Sequence, residues 1–460
     1  LRIDEPLADD SVVQVVSAGT TDRRGPVFLE FCLDAQGAMV PIAPPNVTAF
    51  HQGPTQAMVD AAPAAAEQIL QRLRSAQRPV LLIGGGITRA TAWSLADNLT
   101  RLGIPLMTTW NGMDRVPDDH PCFAGRPNTW GQRSANILLA QADCIIALGT
   151  RLGMQQTGFN WAEWGPGFVA QVDVDAAELA KGHPRVDLPL AADANAVLAA
   201  IAKAADNFNG NGSTWQSWRT HCAFVRSQVP LLDPENTKSE QFCSPYDLID
   251  QLSDALGPDD VLIPASSGSG QFVPMEVFRV KAGQRIVTNK GLASMGYGLA
   301  AAIGAALASG QRTILIEGDG SFSQNIQELG TVAVQGLNLK IFLLDNDGYA
   351  SIRTTQRNYF GGVYLGCDAA TGLGFPNWEL LAKTYEIPCV PVGPQGLQDP
   401  DVRAALDSPG PTMFLVRVDP EQTYYPKVTS RIADDGSMVS NPIHRMFPDL
   451  PDELWAQVYR

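Results

Sequence analysis

Two consecutive parallel-sheet α/β domains are the fold this sequence predicts, and three observations predict it. Short apolar runs alternate with helical patterns from about residue 55 to 205, and again from about 243 to 425. A Pro-rich polar stretch, Pro41–Pro54, and a Gly-rich one, Asn209–Ser213, interrupt the alternation where domain boundaries are expected. The 460 residues are 45% hydrophobic and 18% charged, which excludes wholesale disorder and supplies more than one core.

Taken in order, residues 7–21 (LADDSVVQVVSAGTT) carry a helical pattern and Pro26–Phe31 (PVFLEF) reads as a buried strand. Residues 1–45 thus read as the last helix and strand of a domain whose body lies outside this chain, so another surface has to cover them. The first array predicts strands at Pro79–Ile83, Ile104–Thr108, Asp143–Leu148 and Phe168–Val174, with a helix over Thr88–Leu102. Residues 214–240 are polar and read as helical or connecting. The second array predicts strands at Val261–Pro264, Arg285–Thr288, Thr313–Glu317, Leu339–Leu344 and Thr412–Val418, and a helix over Gln324–Gln335. The tail, Val428–Arg460, reads as a polar wrap over a surface. The domain limits that follow are 1–45, 55–205, 240–425 and 426–460.

Composition excludes several functions. Lys and Arg total 33 against 48 Asp and Glu, a formal charge of −15 with no basic block, so nucleic acid is not an expected partner. Seven cysteines, an odd number without a CxxC spacing, argue against a disulfide framework or a zinc ribbon, and point to a reducing cytoplasmic setting. Five histidines without HExxH disfavour a histidine-held catalytic metal. Gly291–Gln311 is uncharged, but it is built of Gly, Ala and Ser more than of large apolar residues. It reads as a tightly packed buried helix, and no membrane partner is expected.

Chemistry concentrates in Thr313–Ile352, TILIEGDGSFSQNIQELGTVAVQGLNLKIFLLDNDGYASI. An apolar strand ends in Gly318-Asp319-Gly320, whose glycines free the backbone to turn and to present N–H groups. A helix with Ile326, Leu329, Val332 and Ala333 on one face is expected next, with an N-terminus suited to a phosphate. The following strand ends in Asp345-Asn346-Asp347-Gly348. If the two strands are parallel neighbours, Asp319 and Asn346 share one carboxyl edge, where α/β sheets bind ligands. The Asp319 carboxylate, the Asn346 amide oxygen and the Gly348 carbonyl are hard oxygen donors that suit Mg²⁺ or Ca²⁺ beside a diphosphate.

This stretch resembles the thiamin diphosphate (ThDP) binding motif: GDGSF, then Asn346, with 26 residues between Asp319 and Asn346. GLASMGYGLAAAIGAALA and GPVFLEFCLDAQ resemble segments of the acetohydroxyacid synthase (acetolactate synthase large subunit) group, and the likeness spans essentially the whole chain. It implies a central Rossmann-like domain, a ThDP diphosphate-binding domain and, in residues 1–45, the tail of a missing pyrimidine-binding domain. It implies that Asp319, Asn346 and Gly348 hold Mg²⁺. It implies that Gly318, Gly320 and Ser321, together with Ser267, Gly268, Ser269 and Gly270, cradle the diphosphate. Met295 would be the apolar wedge that bends the cofactor, with backbone at Ala293 and Met295 facing the aminopyrimidine. Tyr349, Ala350 and Ile352 would line the cofactor pocket. Arg353 would reach a substrate carboxylate.

The resemblance implies decarboxylation of a 2-oxo acid by a homodimer or homotetramer. It leaves open whether ligation to a second carbonyl compound, simple decarboxylation or lyase chemistry follows. A catalytically silent ThDP- or nucleotide-binding homologue is the alternative from another class. Ser351 and Thr355 stand where acetolactate synthases usually carry Met and Trp. The family's activating glutamate belongs to the pyrimidine domain, so a longer polypeptide or one half of a split enzyme is expected. FAD stays open for the central domain. Gly84-Gly85-Gly86 is a weak dinucleotide signal, and Gln156 stands where a flavin-binding member carries Arg.

Overall fold

The computed structural model describes residues 1–4, 9–39, 53–205, 214–236, 238–266 and 268–460. Two six-stranded parallel sheets organise it. The first contains β1 (Pro79–Ile83), β2 (Leu106–Thr108), β3 (Phe123–Gly125), β4 (Cys144–Leu148), β5 (Phe168–Asp173) and β6 (Leu188–Ala191), in the order β3-β2-β1-β4-β5-β6. The order reverses between β1 and β4, which makes a topological switch point at their carboxyl ends. Helices α1 (Ala62–Leu73) and α2 (Ala194–Lys203) pack together on it, with Ile69, Leu73, Val197 and Ile201 inward.

The second sheet contains β7 (Val261–Pro264), β8 (Arg285–Ile286), β9 (Thr313–Gly318), β10 (Leu339–Asp345), β11 (Cys389–Val392) and β12 (Thr412–Arg417), in the order β8-β7-β9-β10-β12-β11. Successive residues of a strand point to opposite faces. On β9, Ile314 and Ile316 enter one core and Leu315 enters the other; on β10, Phe342 and Leu344 oppose Ile341 and Leu343. Both faces are therefore apolar and covered, as a parallel sheet requires. Phe342 stacks on Phe414 of β12 at 4.4 Å. Trp110 and Met113 of the first unit join one of these cores. Fully buried Arg126 ties the units together by donating to the carbonyls of Met275, Glu276 and Phe278 and pairing with Asp118 at 2.7 Å.

Several expectations need correction. Pro26–Phe31 is not a buried strand: only Glu30–Phe31 pairs, in parallel with Arg2–Ile3, and Phe28, Phe31 and Leu33 are exposed. The helix expected over Thr88–Leu102 breaks at Leu95 into Arg89–Ser94 and Ala96–Leu102. The helix expected over Gln324–Gln335 is shorter: a single turn, Asp319–Phe322, is followed by a 3₁₀ turn at Ile326–Glu328 and a helix at Leu329–Gln335. The polar run Ser323-Gln324-Asn325 breaks it, with the Asn325 side chain turned away to the Gly296 carbonyl. Asn209–Ser213, and all but the last residues of Pro41–Pro54, lie outside the described residues.

Gly291–Gln311 yields helix α3 (Tyr297–Ser309). One face, with Leu299, Ala302, Ile303 and Ala306, is buried, and Leu307 is exposed. Residues 214–240 contain the helix Gln216–Gln228, with Trp218, Cys222 and Val225 inward. The tail does fold back over a surface. Its strands Lys427–Val428 and Met446–Phe447 pair, and Arg133 and Gln141 of the first unit hold the carbonyls of Met446 and Val458. Among the described residues no helix is long and apolar enough to cross a membrane.

Candidate active site

Strands β9 and β10 are parallel neighbours with Gly318 opposite Leu344, so the two glycine-acid turns leave the sheet at one edge. They meet there. Asp319 Oδ2 accepts from the N–H groups of Asn346 (3.1 Å) and Gly348 (3.0 Å), and Oδ1 accepts from Gly320 N–H (2.6 Å). Asp319 is buried, and that burial raises its carboxyl above the usual range; the same N–H groups pull it back, while the charge of Asp345 adds to the rise. Asn346 Oδ1 is buried without a hydrogen-bond partner. Leaving such a group unpaired costs about 1–3 kcal/mol, so it marks a place for an electropositive ligand.

Glycine is required at two of these positions. A Cβ on Gly320 would lie 2.3 Å from the Tyr349 ring. Gly348 has φ +135°, and a Cβ there would lie 2.2 Å from the Cys367 carbonyl oxygen.

The turns open into a pit of about 90 Å³. Of the residues that the sequence assigns to the cofactor, all lie on its wall except Ala293, which stands off in the adjoining loop, and Ser267, which lies outside the described residues. Pockets for a whole ligand span roughly 300–1,000 Å³, so the pit holds one end of a ligand. The rest would lie over an exposed apolar rim: Met295 is 41% exposed, Ile352 40% and Leu292 86%. Ala293 in this rim loop has φ +51°, an uncommon conformation for a residue with a side chain.

Three wall residues escaped the sequence reading: Ser266, Leu344 and Tyr424. Tyr424 bonds Ser269 Oγ at 2.9 Å from 155 residues away, a contact without a local signal. Ser351 lines the pit, and Thr355 is turned back along helix α4 (Ala350–Tyr359) to the Ser351 carbonyl.

Arg353 is not placed as a substrate hook. It is buried, and its guanidinium donates to the carbonyls of Asp347 (3.0 Å), Asn346 (2.8 Å) and Pro420 (3.1 Å). It clamps the turn that carries Asn346. Behind that turn lies a larger cavity, about 750 Å³, walled by Asp345, Asp347, Phe375, Trp378 and Arg417 among others. Its Arg417 already pairs with Asp345 (2.6 Å), and the gathered N–H groups of Gly320, Asn346 and Gly348 belong to the smaller pit, which is the candidate site.

Among the described residues no cluster of three or more His, Cys, Asp or Glu can hold a metal ion. The Asp319 carboxylate, the Asn346 amide oxygen and the Gly348 carbonyl would offer oxygen donors only, the kind that Mg²⁺ takes.

The switch point of the first sheet is arranged differently. Its crevice of about 340 Å³ touches Gly85, Gly86, Thr88, Gly149 and Asp173. The N–H groups that would meet a pyrophosphate are engaged inside the chain: Gly86 with Gly149 O (2.9 Å), Ile87 with Gly84 O (3.2 Å) and Thr88 with Asn195 Oδ1 (2.8 Å). Gln156 is buried and donates to Pro127 O at 2.7 Å.

Two parallel α/β units, one with an acid-and-amide glycine pit at its carboxyl edge, define a class of cofactor-binding enzyme, and comparison with known proteins identifies the family. The thiamine pyrophosphate enzyme central domain matches residues 66–201, and the thiamine pyrophosphate enzyme C-terminal TPP binding domain matches 266–416. The chain is 30% identical over 429 residues to the acetolactate synthase isozyme 2 large subunit of Escherichia coli (strain K12), covering 91% of this chain and 72% of that protein. It is 30% identical over 439 residues to the acetolactate synthase of Arthrospira platensis, covering 91% and 72%. It is 27% identical over 425 residues to acetolactate synthase 1, chloroplastic, of Zea mays, covering 89% and 64%. The chain belongs to the thiamine pyrophosphate enzymes, with acetolactate synthase large subunits among its relatives.

Proposed function

We propose that the protein is a ThDP- and Mg²⁺-dependent enzyme that decarboxylates a 2-oxo acid and ligates the product to a second carbonyl compound, in the manner of an acetolactate synthase. The observation that carries this is the Asp319–Asn346–Gly348 junction, where a buried carboxylate joins two turns beside an orphaned amide oxygen. When bound, ThDP supplies a nucleophilic carbon for the keto group and a sink for the electron pair released with CO₂.

The chain's own residues bind and orient. Asp319, Asn346 Oδ1 and the Gly348 carbonyl would hold the metal. The backbone of Gly318, Gly320 and Ser321, with Gly268, Ser269 and Gly270, would cradle the diphosphate, and Tyr349 and Ala350 would close its far side. Met295 would carry the bend of the cofactor, with the Ala293–Met295 backbone facing the aminopyrimidine. Ile352 would keep the reacting end dry. The exposed rim of Leu292, Met295 and Ile352 favours a homo-oligomer in which a partner surface covers the site. FAD is not part of this reading, because the central crevice offers paired rather than free N–H donors.

The test is ThDP binding followed by tryptophan fluorescence, with and without Mg²⁺, and product analysis over a panel of 2-oxo acids. Asp319→Ala is expected to remove the Mg²⁺-dependent part of the affinity, about 100-fold or more, as loss of roughly 3 kcal/mol of charge-assisted contact implies. Unchanged affinity in that variant would refute the site.

A further inference from the structure

Two residues before Asp319, Glu317 joins three loops of the pit from inside the fold. Its side chain is fully buried at the end of β9. Oε1 accepts from Ser321 Oγ in the glycine-acid turn (2.5 Å) and from Ser266 Oγ after β7 (3.4 Å). Ser321 Oγ, its proton given to Glu317, accepts from the Gly296 N–H at 2.9 Å. Gly296 follows Met295 and is the residue from which α3 starts. Oε2 lies against the first turn of α3, so close that a Cβ on Gly298 would sit 2.5 Å from it.

These loops are held in unfavourable backbone conformations. Ser266 has φ +71° and Ala293 φ +51°, neither with the freedom of glycine. Such conformations persist only where the surroundings over-determine them, and buried Glu317 reaches the diphosphate turn and the Ser266 loop directly and the rim loop through Ser321. We propose that Glu317 is a positioning residue that sets the rim loop carrying Met295 in register with the diphosphate turn, so that the two ends of the cofactor are bound in one geometry. The proposal rests on the ThDP reading of the site.

The chemistry calls for a carboxylate. Two hydroxyls donate to Oε1, and Oε2 is buried against the first turn of α3 without a hydrogen-bond partner. A glutamine would put an NH₂ either against those hydroxyls or into that crowded turn. The test compares Glu317→Gln with wild type using two probes with Mg²⁺: whole ThDP, and inorganic pyrophosphate, which fills only the diphosphate end. The induced near-ultraviolet circular dichroism of the bound aminopyrimidine and the thermal midpoint are recorded alongside.

Glu317→Gln is expected to weaken ThDP about tenfold or more and reduce the induced dichroism, while pyrophosphate affinity changes less than about threefold. A tenfold loss corresponds to about 1.4 kcal/mol. Equal loss for both probes, or no loss for either, would overturn the proposal. If Glu317→Gln does not fold, Gly298→Ala decides: it displaces the carboxylate without changing its charge, and the same split between probes is expected. Failure of wild type to bind either probe would instead count against the ThDP reading itself.

Discussion

Replacing Arg353 by Met tests whether the metal-side turn is held from behind. The guanidinium makes three bonds to carbonyl oxygens, two of them on the turn itself at Asn346 and Asp347 and the third on Pro420. Hydrogen bonds from a charged donor contribute about 1.5–3 kcal/mol each against an unpaired acceptor, and burial limits water from replacing them. Partial relaxation of the turn brings the expected loss to about 3–4 kcal/mol of folding stability, a large fraction of what a domain has. Part of this falls on the proposed ligand site, because freeing Asn346 would require the turn to be re-ordered on binding. At about 1–2 kcal/mol for that step, ThDP affinity should drop roughly 5- to 30-fold. Arg353→Lys should restore little, since a single ammonium cannot span three carbonyls as the planar fork does. Urea unfolding gives the stability, and fluorescence titration of ThDP with Mg²⁺ gives the affinity. A variant that keeps both within error, yet raises KM for the 2-oxo acid tenfold, would refute the clamp and return Arg353 to the substrate.

Two further outcomes follow from the packing. Lys290 lies over the Phe272 and Trp110 rings at 4.5 and 5.1 Å, pairs with no acid among the described residues, and is lowered by burial from 10.5 to about 8. Because the folded state holds the proton less tightly, the unfolded chain binds more protons between pH 8 and 10.5, stability rises with pH across that window, and the full penalty applies below pH 8. That penalty is about 3 kcal/mol, and the two aromatic faces return about 1–2, so Lys290→Met should stabilise the fold by about 1–2 kcal/mol at pH 7 and by little above pH 10.5, read from urea midpoints at both pH values. Gly320→Ala should abolish ThDP binding, because its methyl would overlap the Tyr349 ring; the titration used for Arg353 reads this, and wild-type affinity would show that the turn yields.

The sequence made the inner strands legible and blurred the edges, and the physical reason is burial. β1, β4, β9 and β10 are covered on both faces and read as predominantly apolar runs. The strands that escaped, β3, β6 and β11, are all edge strands, and β8, expected to be four residues long, is another edge and is two. β6 and β11 contain Pro189 and Pro391, which an edge tolerates because one side of it has no ladder to break. In the site, Asp319 and Asn346 were legible because each closes a strand by a local glycine turn. Arg353, Glu317 and Tyr424 were not, because their roles depend on partners set by the tertiary fold: Pro420 for Arg353, the start of α3 for Glu317, Ser269 for Tyr424.

The two sheets share a topology of parallel strands with a reversal of order, yet their carboxyl edges differ in what they leave unpaired, and that difference assigns the chemistry. At the first switch point, Gly84 and Gly86 bring their loop against Gly149 so closely that a Cβ on either would come within 2.9 Å of it, and Asn195 takes the Thr88 N–H. Glycine there serves loop-on-loop packing. At the second sheet, Gly320 and Gly348 bring two turns against Tyr349 and Cys367 while Asp319 gathers three N–H groups, and the amide oxygen of Asn346 is left over. A buried acceptor with no donor beside a gathered carboxylate is a site that a cation completes. Glycine content alone would rank the two edges alike, and the first sheet also buries unpaired oxygens on Thr108 and Gln171; what separates the second edge is a carboxylate that joins two glycine turns beside its orphaned amide oxygen.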